Sequence, residues 1–255
     1  MYIQEISIEI QSKVNKDELM DAFVSLMASY LHNGQTQGRI ESQYITGDKI
    51  ICLTYTLEKK SLDKQYNNFY VNSGRKKVEE LCDSKLIYKT VGKLYDSGKA
   101  SCACKRSDFY ILHTSFISID SPLTCGTCNK SVPLYKLPVY YDHGYLPILN
   151  WETNYISCDR LQINGEVGER WALNQMEEIT SQLSRQGLEI CKKIKELTSV
   201  PTYYRLHNYS KFKGDDLSRP CPGCNKKWGL KESLHDRYNF KCDRCKIVSE
   251  LSPNA

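Results

Sequence analysis

Ile6, Ile8 and Ile10 alternate with Ser7 and Glu9 near the start of the chain, a period of two that predicts a half-buried strand. The period then lengthens. Asn15 followed three residues later by Glu18 resembles a capping box, and Leu19, Phe23, Leu26 and Tyr30 carry a helical stripe that Asn33 and Gly34 end. Gly47-Asp48 separates an apolar run around Ile40–Ile45 from Ile50–Leu57, the two-residue turn chemistry of a hairpin. A second amphipathic helix fits residues 73–84, with Val78, Leu81 and Cys82 inward, and Leu86–Val91 follows as a fourth strand. The order βαββαβ predicts a ferredoxin-like N-terminal part over residues 1–98. Such a fold carries no function by itself.

Residues 99–131 read as a β-rich insert in which Phe109–Leu112 and Phe116–Ile119 are the apolar pieces between cysteine pairs. Residues 132–210 open with Pro133, Pro138 and Pro147 around Tyr140-Tyr141, an extended connector whose order must come from packing. From Gly168 to Leu197 the apolar residues Ala172, Met176, Ile179, Leu183, Ile190, Ile194 and Leu197 recur at helical spacing. Ser184-Arg185-Gln186-Gly187 weakens the middle, so one long helix or two with a kink are both open, and Pro201 marks the end.

The cysteines add chemistry to this outline. Residues 211–255 hold Cys221-Pro222-Gly223-Cys224, seventeen residues, then Cys242-Asp243-Arg244-Cys245. Two-residue spacers let a tight turn present both sulfurs to one ion, and a second pair completes the tetrahedron of a structural Zn²⁺ with Zn–S bonds of about 2.3 Å. Trp228 and Leu230 can pack one strand, and Tyr238 and Phe240 another, around a turn at Asp236–Asn239. Asn225 follows the first pair where left-handed backbone is often needed, a conformation Asn tolerates. So small a unit has little core, and metal must supply much of its folding energy. Four ligands leave no open position, which makes the metal structural rather than catalytic. Cys102-Ala103-Cys104 and, twenty residues on, Cys125-Gly126-Thr127-Cys128 predict a second zinc, with His113 or water able to replace one thiol. Two Zn²⁺ per chain are therefore expected. Cys52, Cys82, Cys158 and Cys191 stand alone and read as small core residues.

Composition narrows the function classes. With 255 residues, 40% hydrophobic and 25% charged, the chain is an ordinary globular composition. No basic leader precedes an apolar run before Cys52, and no stretch approaches the ~18 apolar residues of a membrane span. A cytoplasmic location and no membrane partner are expected. No P-loop, dinucleotide fingerprint, HExxH or Gly-x-Ser-x-Gly elbow occurs. The five histidines show no ligand spacing, so no enzyme and no small-molecule substrate are expected. The net charge of +5 is concentrated in Lys211–Leu251, which holds ten Lys/Arg against six Asp/Glu. Lys226, Lys227, Lys231, Arg237, Lys241, Arg244 and Lys246 are the candidate phosphate contacts. Tyr140-Tyr141, Tyr203-Tyr204 and Tyr209, the latter three near Arg205, Lys211 and Lys213, are candidate base-stacking groups, sheet residues or a protein interface.

Pro133-Leu134-Tyr135-Lys136-Leu137-Pro138, Asn150-Trp151-Glu152, Cys158-Asp159-Arg160-Leu161, Gly165-Glu166, Pro201-Thr202-Tyr203-Tyr204 and Arg219-Pro220-Cys221-Pro222-Gly223-Cys224 with Trp228 resemble bacterial Zn-ribbon-containing proteins of unknown function, for which nucleic-acid binding is suggested. Asn225 stands where such knuckles usually carry glycine. The resemblance supports the fold that the pattern and the cysteine spacing predict, an α+β chain with a ferredoxin-like N-terminal part, a central β-rich zinc cluster, a helical segment and a C-terminal zinc ribbon. It also implies two kinds of partner: nucleic acid, or a protein toxin that the chain would neutralise as a cytoplasmic immunity protein.

Overall fold

The computed structural model describes the chain apart from Ser12, residues 96–99, Lys211, Lys213 and residues 254–255, and apart from the side chains of residues 39–41. The boundary expected at residues 98–99 and the two lysines expected near Tyr209 therefore lie outside the described residues. The chain divides into two units. One comprises residues 1–102, 119–121 and 130–146, the other residues 103–118, 122–129 and 147–255.

The first unit is built as its periodicities predict. Strand β1 (Tyr2–Glu9), helix α1 (Lys16–His32), strands β2 (Gln37–Thr46) and β3 (Lys49–Thr56), helix α2 (Phe69–Cys82) and strand β4 (Ile87–Lys93) follow in order. Their sheet runs β2-β3-β1-β4 with every neighbouring pair antiparallel, the ferredoxin-like arrangement. Asn15 caps α1 by accepting from the Asp17 N–H at 2.9 Å. The α1 stripe of Leu19, Phe23, Leu26 and Tyr30 is buried against Ile6, Ile8, Ile50, Cys52, Val78 and Cys82, with Ile10 and Leu81 at the margin. Ser7 is buried although it alternates with the isoleucines. Helix α2 starts four residues before the expected position because Asn68 Oδ1 accepts from the Val71 N–H and so begins the helix there.

The proline-rich connector belongs to this unit and is ordered by packing. Leu134 sits against Gly34, where a Cβ would lie 2.7 Å from the Leu134 Cβ and the backbone has φ of 68°. Only glycine fits there. Glu58 gathers the connector's polar groups: Tyr135 Oη and Lys136 Nζ donate to it at 3.0 and 2.6 Å, and Ser101 Oγ at 2.8 Å.

The second unit carries a six-stranded sheet in the order β6-β5-β7-β10-β9-β8, from β5 (Tyr110–Leu112), β6 (Leu123–Cys125), β7 (Thr202–Arg205), β8 (Gly229–Leu234), β9 (Tyr238–Cys242) and β10 (Ile247–Ser249). Both cysteine-rich hairpins are thus edges of one sheet, joined through β7, which runs parallel to β5 and to β10. The apolar piece Phe116–Ile119 is not a strand; Ser118 N–H bonds to Ser115 O in a turn, and Phe116 N–H is taken by the Asp159 carboxylate at 2.8 Å. The hairpin's return strand is β6 instead.

Helix α3 (Leu146–Asn164) was not expected; it buries Ile148, Trp151, Tyr155 and Cys158, and Pro147 is tolerated in its first turn, where no intrahelical N–H is needed. The Gly168–Leu197 segment is two helices, α4 (Glu169–Glu177) and α5 (Gln182–Thr198). Their break lies at residues 178–181, ahead of the weak stretch at 184–187. Ser181 makes it: its hydroxyl donates to Gln175 O at 2.6 Å and accepts from the Ser184 N–H at 3.0 Å. Gly187 serves packing instead, since a Cβ there would fall 2.4 Å from the Tyr204 ring. No helix among the described residues is long and apolar enough to cross a membrane.

Candidate metal centres

Three Cys-x-x-Cys knuckles share one backbone design. The residue after each second cysteine has left-handed backbone: Asn129 (φ 55°), Asn225 (φ 56°) and Lys246 (φ 56°). The chain therefore folds back on itself, and in the first two the N–H of that residue bonds to the carbonyl of the first cysteine at 2.8 Å. Asn at two of the three positions lowers the cost of that conformation. Gly223 completes the 221–224 knuckle, because a Cβ would come within 2.8 Å of the Cys245 sulfur.

These turns gather two groups of four thiols, Cys221, Cys224, Cys242, Cys245 and Cys102, Cys104, Cys125, Cys128, each with its sulfurs within 4.8 Å of one another. Either could hold a metal ion. All twelve cysteines are free thiols, so no disulfide competes for these sulfurs. In the C-terminal group Cys224 Sγ and Cys242 Sγ are 3.7 Å apart. A tetrahedron with bonds of about 2.3 Å has edges of about 3.8 Å, so the donor set fits such an ion. The thiols differ in acidity. The Lys226 N–H holds Cys224 down to about 7, whereas burial pushes Cys221 and Cys245 up. His113 is not among the ligands; its Nε2 faces the Arg237 guanidinium at 3.1 Å.

The ribbon's aromatics pack together as expected, but its turn lies at residues 235–237 rather than Asp236–Asn239: Tyr238 and Asn239 already belong to β9, and Trp228 lies just ahead of β8. Trp228 and Phe240 stack at 4.8 Å, Tyr238 and Phe240 are fully buried, and His235 and Asp236 make the turn between β8 and β9 with positive φ. His235 Nε2 donates to the Gly126 carbonyl of the earlier knuckle at 2.7 Å.

The seven candidate cations separate into two sets. Lys226, Lys227, Lys231 and Arg244 are exposed. The others have partners within the fold: Arg237 Nε donates to Glu250 at 2.7 Å, Lys241 to Asp243 at 2.8 Å, and Lys246 lies 5.0 Å above the Tyr203 ring. Of the candidate stacking groups, Tyr203 and Tyr204 are buried, Tyr209 stacks on His207, and Tyr141 is exposed.

A buried charge network beside the ribbon escaped the sequence reading. Glu250 accepts from Arg205 Nε at 2.8 Å as well as from Arg237, and Arg205 also donates to Tyr155 Oη. Next to it, His207 has both ring nitrogens buried without a hydrogen-bond partner. Burial first, and the Arg205 charge second, against Glu250 and Glu177, bring its pKa down to about 4. Between an unfolded value of about 6.5 and that folded value the unfolded chain binds more protons. Stability should then fall by up to about 3 kcal/mol as pH drops through this window. Urea midpoints at pH 7 and pH 5 measure this; His207→Gln should flatten the difference.

Residues 1–92 match a family model described as Domain of unknown function (DUF8589), residues 104–207 one described as Domain of unknown function (DUF2310), and residues 210–255 one described as Domain of unknown function (DUF8594). An uncharacterized protein of Haemophilus influenzae is 29% identical over a 267-residue alignment covering 100% of this chain and 99% of its own. A second uncharacterized protein of that organism is 36% identical over 148 residues, 56% of this chain and 71% of that protein. No solved structure matches the chain. With its sequence similarity extending over most of that second relative, the chain belongs to the family of uncharacterized proteins that these Haemophilus influenzae relatives represent.

Proposed function

We propose that this protein is a non-catalytic binding protein, folded around two structural Zn²⁺ ions, that contacts nucleic-acid phosphates through its C-terminal ribbon. One observation carries the reading: Lys226, Lys227, Lys231 and Arg244 stand exposed on a metal-site ribbon while the neighbouring cations are engaged within the fold. Thiolate tetrads favour Zn²⁺ among the common ions, and twelve free thiols suit a reducing compartment such as the cytoplasm. With Tyr203 and Tyr204 buried, the contact is electrostatic and sequence-independent.

If each of the four exposed cations neutralises one phosphate, log K should fall against log salt with a slope of about −3.6 on duplex DNA and about −2.8 on single strands. Fluorescence anisotropy at several salt concentrations reads the slope. Lys226→Glu with Lys227→Glu should reduce it by about two in magnitude; absence of retention of any nucleic acid at low salt overturns the reading.

A second reading, binding of a protein such as a toxin, is favoured by the exposed aromatic group of the first unit. Phe69 and Tyr70 are 65% and 45% exposed, and both rings lie near His143. Under this reading a neighbouring toxin co-purifies with the protein without nucleic acid.

A further inference from the structure

Arg75 on helix α2 is 9% exposed, and its Nε is buried with no hydrogen-bond partner. Leaving a buried donor without an acceptor is costly, and the ion pair that Arg75 does make is a loose one. The facing carboxylate, Glu79, lies 3.7 Å from Nη2, beyond hydrogen-bond length. Glu79 is engaged elsewhere: Lys85 Nζ donates to it at 2.9 Å and the Leu86 N–H at 3.3 Å. On its other side the guanidinium lies 5.4 Å from the centre of the Tyr88 ring, whose hydroxyl pairs with that of Tyr30. Arg75 is held in place by packing, with hydrogen-bonding capacity left over.

The remaining exposed part of Arg75 lines a cavity of about 470 Å³ within the first unit, adjoining a second of about 620 Å³ that shares Lys64, Arg75, Glu79 and Lys85. Lys59, Lys64, Arg75 and Lys85 line the smaller one against the two carboxylates of Asp63 and Glu79, which leaves two positive charges in surplus. Gln4 and Thr90 add polar lining, and Tyr88 forms part of the wall. The volume is in the range of small-molecule sites rather than of a single ion.

We infer that this cavity binds a phosphorylated small molecule, with its phosphate on Arg75. The charge argues for phosphate over carboxylate. A phosphomonoester carries close to two negative charges at neutral pH and matches the surplus, whereas a carboxylate balances half of it. A guanidinium that lines the cavity and whose one carboxylate partner lies beyond hydrogen-bond length is also the donor type that pairs best with phosphate oxygens. The leftover volume, flanked by Leu62 and Leu86, receives the rest of the ligand.

Calorimetric titration of the full-length protein with inorganic phosphate and with AMP, at ionic strength held constant with chloride, tests this. Both should bind saturably, AMP more tightly. Arg75→Gln and Lys64→Glu should each weaken AMP binding at least about tenfold, the loss of one charge-assisted hydrogen bond or more. Lys64 is exposed, so its variant reports on the site even if Arg75→Gln fails to fold. Lys89→Glu, on the opposite face of the sheet, should bind as the parent does. Absence of saturable binding by either probe, or unchanged affinity in Lys64→Glu, overturns the inference. So does an oligonucleotide that binds in a Lys64-dependent way when AMP does not, since the site would then belong to a nucleic-acid backbone. Loss of ribbon binding to nucleic acid leaves this result unaffected, because the two tests use different residues.

Discussion

Replacing Cys242 by Ser should remove one metal ion per chain and unfold the C-terminal ribbon, with an effect larger than that of any core substitution in the molecule. The reason is the scarcity of core. Outside the four cysteines the ribbon's own packing is chiefly Trp228, Tyr238, Phe240, Ile247 and Val248. Structural Zn²⁺ contributes about 10–16 kcal/mol to the folding of comparable small modules, as much as or more than the ~5–15 kcal/mol that stabilises a whole domain. The damage should spread along the sheet. Strand β10 pairs with β9 on one side and β7 on the other, and the Tyr204 and Leu206 N–H groups donate to Lys246 O and Val248 O. Hydrogen exchange should therefore show lost protection in β8, β9 and β10 first and in β7 next, while β1 and β3 of the first unit keep theirs. Elemental analysis gives the stoichiometry: two zinc in the parent, one in Cys242→Ser and one in Cys125→Ser. A parent without bound metal, or a Cys242→Ser variant that melts as the parent does, would defeat the metal reading.

The two cysteine tetrads were legible because ligand geometry acts through short chain segments. A tight turn between two cysteines is a local demand, and Asn225 with φ of 56° satisfies it where the residue type predicts. The first unit was legible for a related reason. Each of its elements is long enough to show a period, and the β2–β3 pairing is set by the Gly47-Asp48 turn between them. In the second unit the evidence is spread along the chain. Strands β5, β6 and β10 have three residues each, and β5 pairs in parallel with β7, Tyr110 beside Thr202, so that no turn announces the pairing. Helix α3 had a visible stripe in Ile148, Trp151, Tyr155 and Cys158, but Pro147 read as part of an extended connector rather than as the first turn of a helix. The sorting of the basic residues was out of reach, since Arg237 and Lys231 look alike in the sequence and only the fold brings one of them to Glu250.

That same carboxylate is the site of the second large expected effect: Glu250→Ala should destabilise the second unit by about 3–5 kcal/mol. Burial alone would push the Glu250 carboxyl up, but Arg205 and then Arg237 hold it below the usual carboxylate range, so it is ionised in the folded protein. Removing it leaves Arg205, largely buried, with a cationic neighbour and only the Tyr155 hydroxyl as acceptor. The cost lies mostly in that stranded charge rather than in the lost bonds. Arg205→Met in the Glu250→Ala background should then recover part of the stability, which no account based on lost contacts alone allows. Urea denaturation of the parent, both single variants and the double variant measures the coupling. The sign with pH is also set. A carboxyl with a depressed folded pKa contributes stability above its unfolded value of about 4.3 and loses it as pH falls through the folded value. The gap between parent and Glu250→Ala should therefore be full at pH 7 and close in strong acid. A gap that stays constant down to pH 2 would show that Glu250 acts by packing and not by its charge.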